Sequence, residues 1–205
     1  MKAVIKFNRK AIEDKVFAVK RLQLEASRIL GEKIQQEKNR FLLAYDEHSI
    51  TRELLAGPSA VNTSGAITGE GNLFTFIGFE AEKENPIISL RKFLESSIST
   101  SPKFMRREGK KFLFRVSVPS KEEIEGKTPL PYESGRSWIH GIEHGISGIG
   151  FYFYSRKNQK IKRSRSGLGI QSHNLTSLVS GATSFNNQTY FSKMLQDFYK
   201  TLKIK

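Results

Sequence analysis

The feature that most constrains the fold of this chain is an apolar pattern near the N-terminus. Between about residues 10 and 45, apolar side chains recur mostly at steps of three to five, and Glu, Lys, Gln and Arg fill the positions between them. The recurring residues are Ile12, Val16, Val19, Leu22, Ala26, Ile29, Ile34 and Phe41. This spacing predicts one long amphipathic helix or two collinear ones, with Gly31 as a place where the helix bends or divides. Such a helix serves as the spine of a domain, as a contact between copies, or as both.

Four shorter helices are predicted further along the chain. "SITRELLAG" (49–57) ends at a Gly-Pro pair, and "PIISLRKFLESS" (86–97) begins with a proline, which suits the first helical turn. "GRSWIHGIEHGISG" (135–148) is predicted as a helix that ends at Gly148, and "NQTYFSKMLQDFYKTLK" (187–203) has apolar residues at helical spacing.

Three segments predict strands. "NLFTFIGFE" (72–80) is almost entirely apolar, as in a strand covered on both sides, and "KFLFRVSV" (111–118) follows a turn at "REGK". "IGFYFY" (149–154) leads through a polar turn into "IKRSRSG", which predicts a hairpin with a basic tip. "PSKEEIEGKTPLP" (119–131), with its three prolines, is predicted as a loop or short turn.

This order of elements predicts an α+β fold: a long N-terminal helix packed on a small, mostly antiparallel sheet, with a projecting basic β-hairpin and a C-terminal helix. The 205 residues are expected to form one domain, 1–205, with the long helix at about 10–45 and the hairpin arm at about 149–171. No apolar run approaches the roughly 18 residues that span a bilayer, so no membrane partner is expected.

The net charge of +14 directs attention to polyanions and acidic surfaces as partners. The predicted hairpin concentrates this charge, and nearby Glu143 is its one acidic neighbour. The candidate residues for an interface or a polyanion contact are Arg136, Arg156, Lys157, Lys160, Lys162, Arg163 and Arg165. An acidic groove on a neighbouring subunit is the favoured partner, and the phosphates of nucleic acid are the alternative.

The polar, glycine-rich segment 62–72 does not have the order of a phosphate-binding loop. Such a loop needs a strand before the glycines and a helix N-terminus after them, whereas here a helix is predicted first and a strand last. The segment is instead predicted to be a connection or an assembly loop. Its candidate interface residues are Asn62, Gly65, Gly69, Gly71 and Asn72.

Catalytic and metal-binding patterns are weak in this chain. There are no cysteines, which excludes disulfides and thiolate chemistry. His140, Glu143 and His144 have the His-x-x-Glu-His order of inverse zincins, but two glycines weaken the predicted helix and no third ligand follows. No nucleophile elbow is present. We therefore predict no catalytic residue, no metal site and no cofactor.

Two stretches resemble virion structural proteins of tailed phages. "TRELLAG" (51–57), "NTSG" (62–65) and "GNLFTFIGF" (71–79) resemble the first segment that those proteins share. "GRSWIHGIEHGISGIGFYFY" (135–154) and "SRSGLGIQ" (164–171) resemble the second. The two spans that enclose these stretches, 51–79 and 135–171, cover about a third of the chain.

The resemblance implies a neck, tail-completion or other head–tail connector component that assembles as a ring, and it offers no active-site residues. It predicts a non-enzymatic virion protein, made in the host cytoplasm, whose partners are copies of itself and adjacent neck, portal-adaptor or tail proteins. Packaged DNA is a further expected contact. The alternative function is a stand-alone nucleic-acid-binding protein that uses the basic hairpin.

Overall fold

A computed structural model describes residues 8–17, 20–68, 71–131, 133–145 and 184–202. The N-terminal pattern forms two helices, α1 (Arg9–Phe17) and α2 (Lys20–Glu47), and the two residues between them lie outside the described residues. Helix α2 runs through Gly31 without interruption. A β-carbon at this position would lie 2.8 Å from the backbone oxygen of Thr100. Glycine therefore lets another segment approach the helix closely, which is a different role from the predicted bend.

Three of the shorter helices are confirmed. Helix α3 (Ser49–Ala56) begins after His48, whose ring Nδ1 accepts a hydrogen bond from the backbone N–H of Ile50. Helix α5 (Pro86–Ser97) begins after Asn85, whose side chain accepts from the N–H of Ile87. The C-terminal helix, α8, spans Phe191–Leu202.

The apolar segment 72–80 forms a helix, so the prediction of a strand there was wrong. Helix α4 (Leu73–Ile77) begins at Asn72, whose side chain accepts a hydrogen bond from Thr75 N–H at 3.0 Å. It ends at Gly78, which adopts a left-handed conformation. Four of its five residues are buried. Periodicity cannot distinguish a short element that is buried on all sides from a buried strand.

Two predictions in the segment 119–148 are also corrected. The predicted loop contains helix α6 (Lys121–Gly126), and Ser120 and Glu123 form a reciprocal capping box at its start. Short strand β4 (Pro129–Leu130) follows. The predicted helix 135–148 begins as strand β5 (Glu133–Ser137), and helix α7 (Trp138–His144) ends at Gly145 instead of Gly148.

The described strands form three antiparallel pairs, which confirms the α+β class. Strand β1 (Ile67–Thr68) pairs with β6 (Ser184–Phe185), and β4 pairs with β5. The longest pair is β2 (Lys103–Glu108) with β3 (Lys111–Arg115), so a strand is confirmed in the segment 111–118. The predicted basic hairpin, 149–171, lies outside the described residues.

The described elements share one apolar core. Phe41 of α2 contacts the rings of Phe191 and Phe198 in α8, and Trp138, Tyr45 and Tyr190 are among the largest fully buried side chains. The buried residues of α2 begin at Ile34, and half-buried Leu30 also packs against the core. Within the described part of the chain, no helix is long and apolar enough to span a membrane.

Candidate interface surfaces

Helix α2 presents apolar side chains in two directions. Ile34, Phe41 and Tyr45 are buried in the core of the chain. Ile29 and Leu43 are 55% and 56% exposed, and Ile29 precedes Ile34 by five residues, which places it about 140° around the helix. Ile29 and Leu43 are fourteen residues apart, so they lie on nearly the same face, with half-buried Leu22 seven residues before Ile29. We call Leu22, Ile29 and Leu43 the outer face of α2.

The charges along α2 are nearly balanced, in contrast to the whole chain. The helix has six basic and five acidic residues, whereas the chain has a net charge of +14. Arg28 contacts both Glu25 and Glu32, and its hydrogen bonds lower the pKa of the Glu25 carboxyl. Arg40 forms an ion pair with Glu37. The outer face is therefore bordered by charges of both signs.

A second surface is the hairpin of β2 and β3, which we call the ribbon. The ring of Phe104 contacts those of Phe112 and Phe114, so these aromatic residues share one side of the ribbon. Arg107 lies opposite Phe112 in the register and contacts Asp14 of α1 at 2.7 Å. The aromatic side of the ribbon thus includes a contact to the N-terminal helices.

The opposite side of the ribbon is basic. Residues paired across an antiparallel ladder point to the same side, and successive residues alternate. A bulge between Phe104 and Arg106 shifts this alternation, and the register pairs Lys103 with Arg115, Arg106 with Leu113, and Glu108 with Lys111. Lys103, Arg106, Lys111 and Arg115 are all exposed. We call this side the basic face of the ribbon.

The predicted assembly loop is held in place by a buried carboxylate. Glu53 of α3 is only 2% exposed, and one of its oxygens accepts hydrogen bonds from the backbone N–H groups of Thr63 and Ser64, at 3.1 and 2.8 Å. The other oxygen accepts from the N–H of Leu73, at 2.6 Å, where α4 begins. The loop is therefore tied at both ends to one side chain.

The two asparagines predicted as interface residues donate hydrogen bonds to backbone carbonyls within and beside the loop. Asn62 donates a hydrogen bond to the carbonyl of Ile67, at 2.6 Å, and Asn72 is buried and donates to the carbonyls of Pro58 and Ala60. Gly65 is exposed. Gly65 and Gly71 have φ angles of +68° and +102°, a region that favours glycine. The fifth candidate, Gly69, lies outside the described residues.

The residues that carry the first resemblance therefore belong to a buried polar network. Besides Glu53, Asn62 and Asn72, Thr51 makes a separate buried contact, in which its hydroxyl lies 2.7 Å from the hydroxyl of Tyr190. Burial raises the pKa of the Tyr190 phenol, so this hydroxyl is uncharged at neutral pH. Glu53, Asn62 and Asn72, which lie in the stretches "TRELLAG", "NTSG" and "GNLF", therefore fix the path of one loop.

The three residues of the inverse-zincin pattern do not converge. The carboxylate of Glu143 accepts hydrogen bonds from the N–H groups of Tyr190 and Ser192 and from the Ser192 hydroxyl, so it caps the start of α8. The rings of His140 and His144 stack with their centroids 4.3 Å apart. Within the described residues, no group of three or more His, Cys, Asp or Glu side chains could hold a metal ion.

Arg136 lies beside an open cleft of about 710 Å³ between α6, β5 and α7. His140 and His144 line the cleft, together with Glu122 and Glu125. The Nδ1 atom of His140 lies 3.4 Å from a carboxylate oxygen of Glu125. This mixture of acidic and basic side chains does not form a surface of one sign. The other six basic candidates lie outside the described residues.

The ribbon is the surface that sequence reasoning missed. Its signal is the stretch "KFMRREGKKFLFR" (103–115), in which two runs that combine aromatic and basic residues flank a turn at Gly109. Comparison of the chain with protein-family models, with curated proteins and with solved structures finds no match. The resemblance to phage proteins rests on the quoted stretches alone.

Proposed function

We propose that this chain is a structural virion component of a phage neck or tail, which serves head–tail joining or tail completion. It acts through contacts between subunits in a ring of several copies, and it reaches the virion after synthesis in the host cytoplasm. Its partners are copies of itself and the adjacent neck, portal-adaptor or tail proteins. No step of this role requires catalysis.

The observation that carries the proposal is the outer face of α2. A helix that buries one apolar face in its own core and exposes another has the character expected of a helix between two subunits. Burial of a leucine or isoleucine side chain contributes about 1.5–3 kcal/mol, so Ile29 and Leu43 supply a useful part of a contact.

A second copy of this chain is the partner that best fits the outer face. A polyanion would require an excess of basic side chains there, and a strongly acidic protein would require the same. The nearly balanced charges of α2 instead suit a protein surface that is itself mixed in sign. The outer face could meet a different surface of the next copy, and such head-to-tail contacts close into a ring if the rotation divides a circle.

The network around Glu53 supports the same proposal. A subunit that works by fitting against neighbours needs a surface of fixed shape, because ordering a loose loop on contact costs free energy. Glu53 and Asn72 hold the loop before any partner arrives. Exposed Val61, Thr63 and Gly65 then form an outward edge that can meet a neighbour.

Quantitative mass spectrometry of purified phage particles tests the virion assignment. Peptides of this chain are measured against those of a particle protein of known copy number. We expect a fixed number of copies greater than one in every particle. Absence from particles that are complete and infectious would contradict the assignment.

A further inference from the structure

The ribbon carries a second surface, which the subunit contacts described above do not use. We propose that its basic face binds the phosphate backbone of duplex nucleic acid. This inference stands on the geometry of β2 and β3 and does not depend on the oligomeric role of α2.

Contacts on its aromatic side and at its turn hold the ribbon, and the basic face lies on the opposite side. Arg107, on the aromatic side, contacts Asp14, and Lys110 in the turn contacts Glu13 at 2.7 Å. These ion pairs join the turn end of the ribbon to α1. The basic face is therefore presented by a supported element, which reduces the entropy lost on binding.

The charge of the basic face is available for a partner. Its four cations face one carboxylate, that of Glu108, which contacts Arg106. Lys103, Lys111 and Arg115 form no ion pair with any described residue. Alternate residues of a strand are about 6.6 Å apart, so these side chains can reach several phosphates along one backbone.

The shape of the ribbon suits a duplex. The major groove of B-form DNA is about 12 Å wide and admits a two-stranded β-ribbon. Arginine and lysine supply most phosphate contacts, and arginine can bind a phosphate with two parallel hydrogen bonds. Arg106 and Arg115 can make such contacts from neighbouring strands.

An acidic protein surface is the less suitable partner for this face. The centres of protein interfaces are apolar and depleted of charge. On the basic face, Leu113 is the only apolar residue in the register pairs, and it is half-buried within the chain. A face with four cations and one carboxylate fits a uniformly charged polyanion better.

The test measures binding of the full chain to a labelled duplex of random sequence over a series of salt concentrations. The variant Lys111→Gln with Arg115→Gln is compared with wild type. Each phosphate contact contributes about 0.9 to the slope of log K against log salt. We expect the double variant to reduce the magnitude of the slope by about 1.8, and Lys111→Gln alone to reduce it by about half as much.

The matched control is Arg52→Gln with Lys193→Gln, which removes one arginine and one lysine from exposed positions on α3 and α8. We expect its slope to stay at the wild-type value. Equal losses in the two double variants would overturn the proposal, because total charge alone would then explain binding. Failure of the wild-type chain to bind the duplex would also overturn it.

Polyglutamate separates nucleic acid from an acidic protein as the partner. We expect it to bind the wild-type chain more weakly than the duplex at equal charge concentration. Stronger binding of polyglutamate, lost in the ribbon variant and retained in the control, would assign the face to a protein and overturn the proposal. Light scattering on the same samples reports the oligomeric state separately, so failure of one proposal is distinguishable from failure of the other.

Discussion

Glu53 is a buried carboxylate that forms no ion pair within the described residues, and such a group is costly unless its oxygens are fully hydrogen-bonded. Three backbone N–H groups meet this need, two from the loop at Thr63 and Ser64 and one from Leu73 at the first turn of α4. Negative charge is also favourable at the start of a helix. One side chain therefore joins α3, the loop and α4.

Replacing this carboxylate tests the role of Glu53 directly. In Glu53→Gln the amide NH₂ must face a backbone N–H on one side, and the charge-assisted hydrogen bonds are lost. We expect the free energy of unfolding to fall by about 3 kcal/mol, measured by urea denaturation. The control Glu47→Gln, at an exposed position, is expected to change it by less than about 0.5 kcal/mol. A loss no larger than that of the control would show that the loop does not depend on Glu53.

At the scale of elements, the sequence predicted the helices with clear caps and periodicity and failed where an element is short. Helix α5 was predictable because proline stands at its first position and Ile87, Leu90 and Leu94 share its buried face. Helix α4 was not, since its five residues are too few to show a period. In α6 the capping pair Ser120 and Glu123 was a usable signal, obscured by the prolines on either side.

The outer face of α2 was not predicted, because the apolar residues were counted without following the angular position of each one around the helix axis. Ile12, Val16 and Ile29 were assigned to the same face as Ile34, yet about half of each side chain is exposed. The step of five between Ile29 and Ile34 turns the helix by about 140°, so the apolar pattern belongs to two faces. Which face of α2 is buried depends in part on its packing with α8, which is remote in sequence.

Substitution of Gly31 tests the close packing of another segment on α2. Glycine to alanine inside a helix normally stabilises by about 1 kcal/mol. At Gly31, however, the new methyl group would lie 2.8 Å from the Thr100 backbone oxygen. We expect Gly31→Ala to lower the free energy of unfolding by about 1–3 kcal/mol, in the range of overpacked sites.

Gly126 serves as the comparison for Gly31, because nothing lies within 4 Å of a β-carbon built there. Gly126→Ala is expected to be neutral or to stabilise by up to about 1 kcal/mol in the same denaturation measurement. Stabilisation by Gly31→Ala would mean that the connection between α5 and β2 does not pack on α2 as described.

At the scale of the whole molecule, we propose two surfaces, and each suits a different partner. The outer face of α2 is apolar with balanced charges and suits another copy of the chain, whereas the basic face of the ribbon suits a polyanion. Fold class was predictable from the order of elements, because that order depends on local signals. The two surfaces were not, since they depend on which sides remain uncovered after packing.

The contact between copies is tested most directly by the molar mass of the purified chain, measured by light scattering after size-exclusion chromatography. The comparison is between wild type, Ile29→Ser with Leu43→Ser, and the control Leu55→Ser with Ile88→Ser, which changes exposed apolar residues outside α2. We predict a wild-type mass of several times 23.3 kDa, retained in the control and reduced to 23.3 kDa in the α2 variant. A wild-type mass of 23.3 kDa at every concentration would contradict the proposed role of α2.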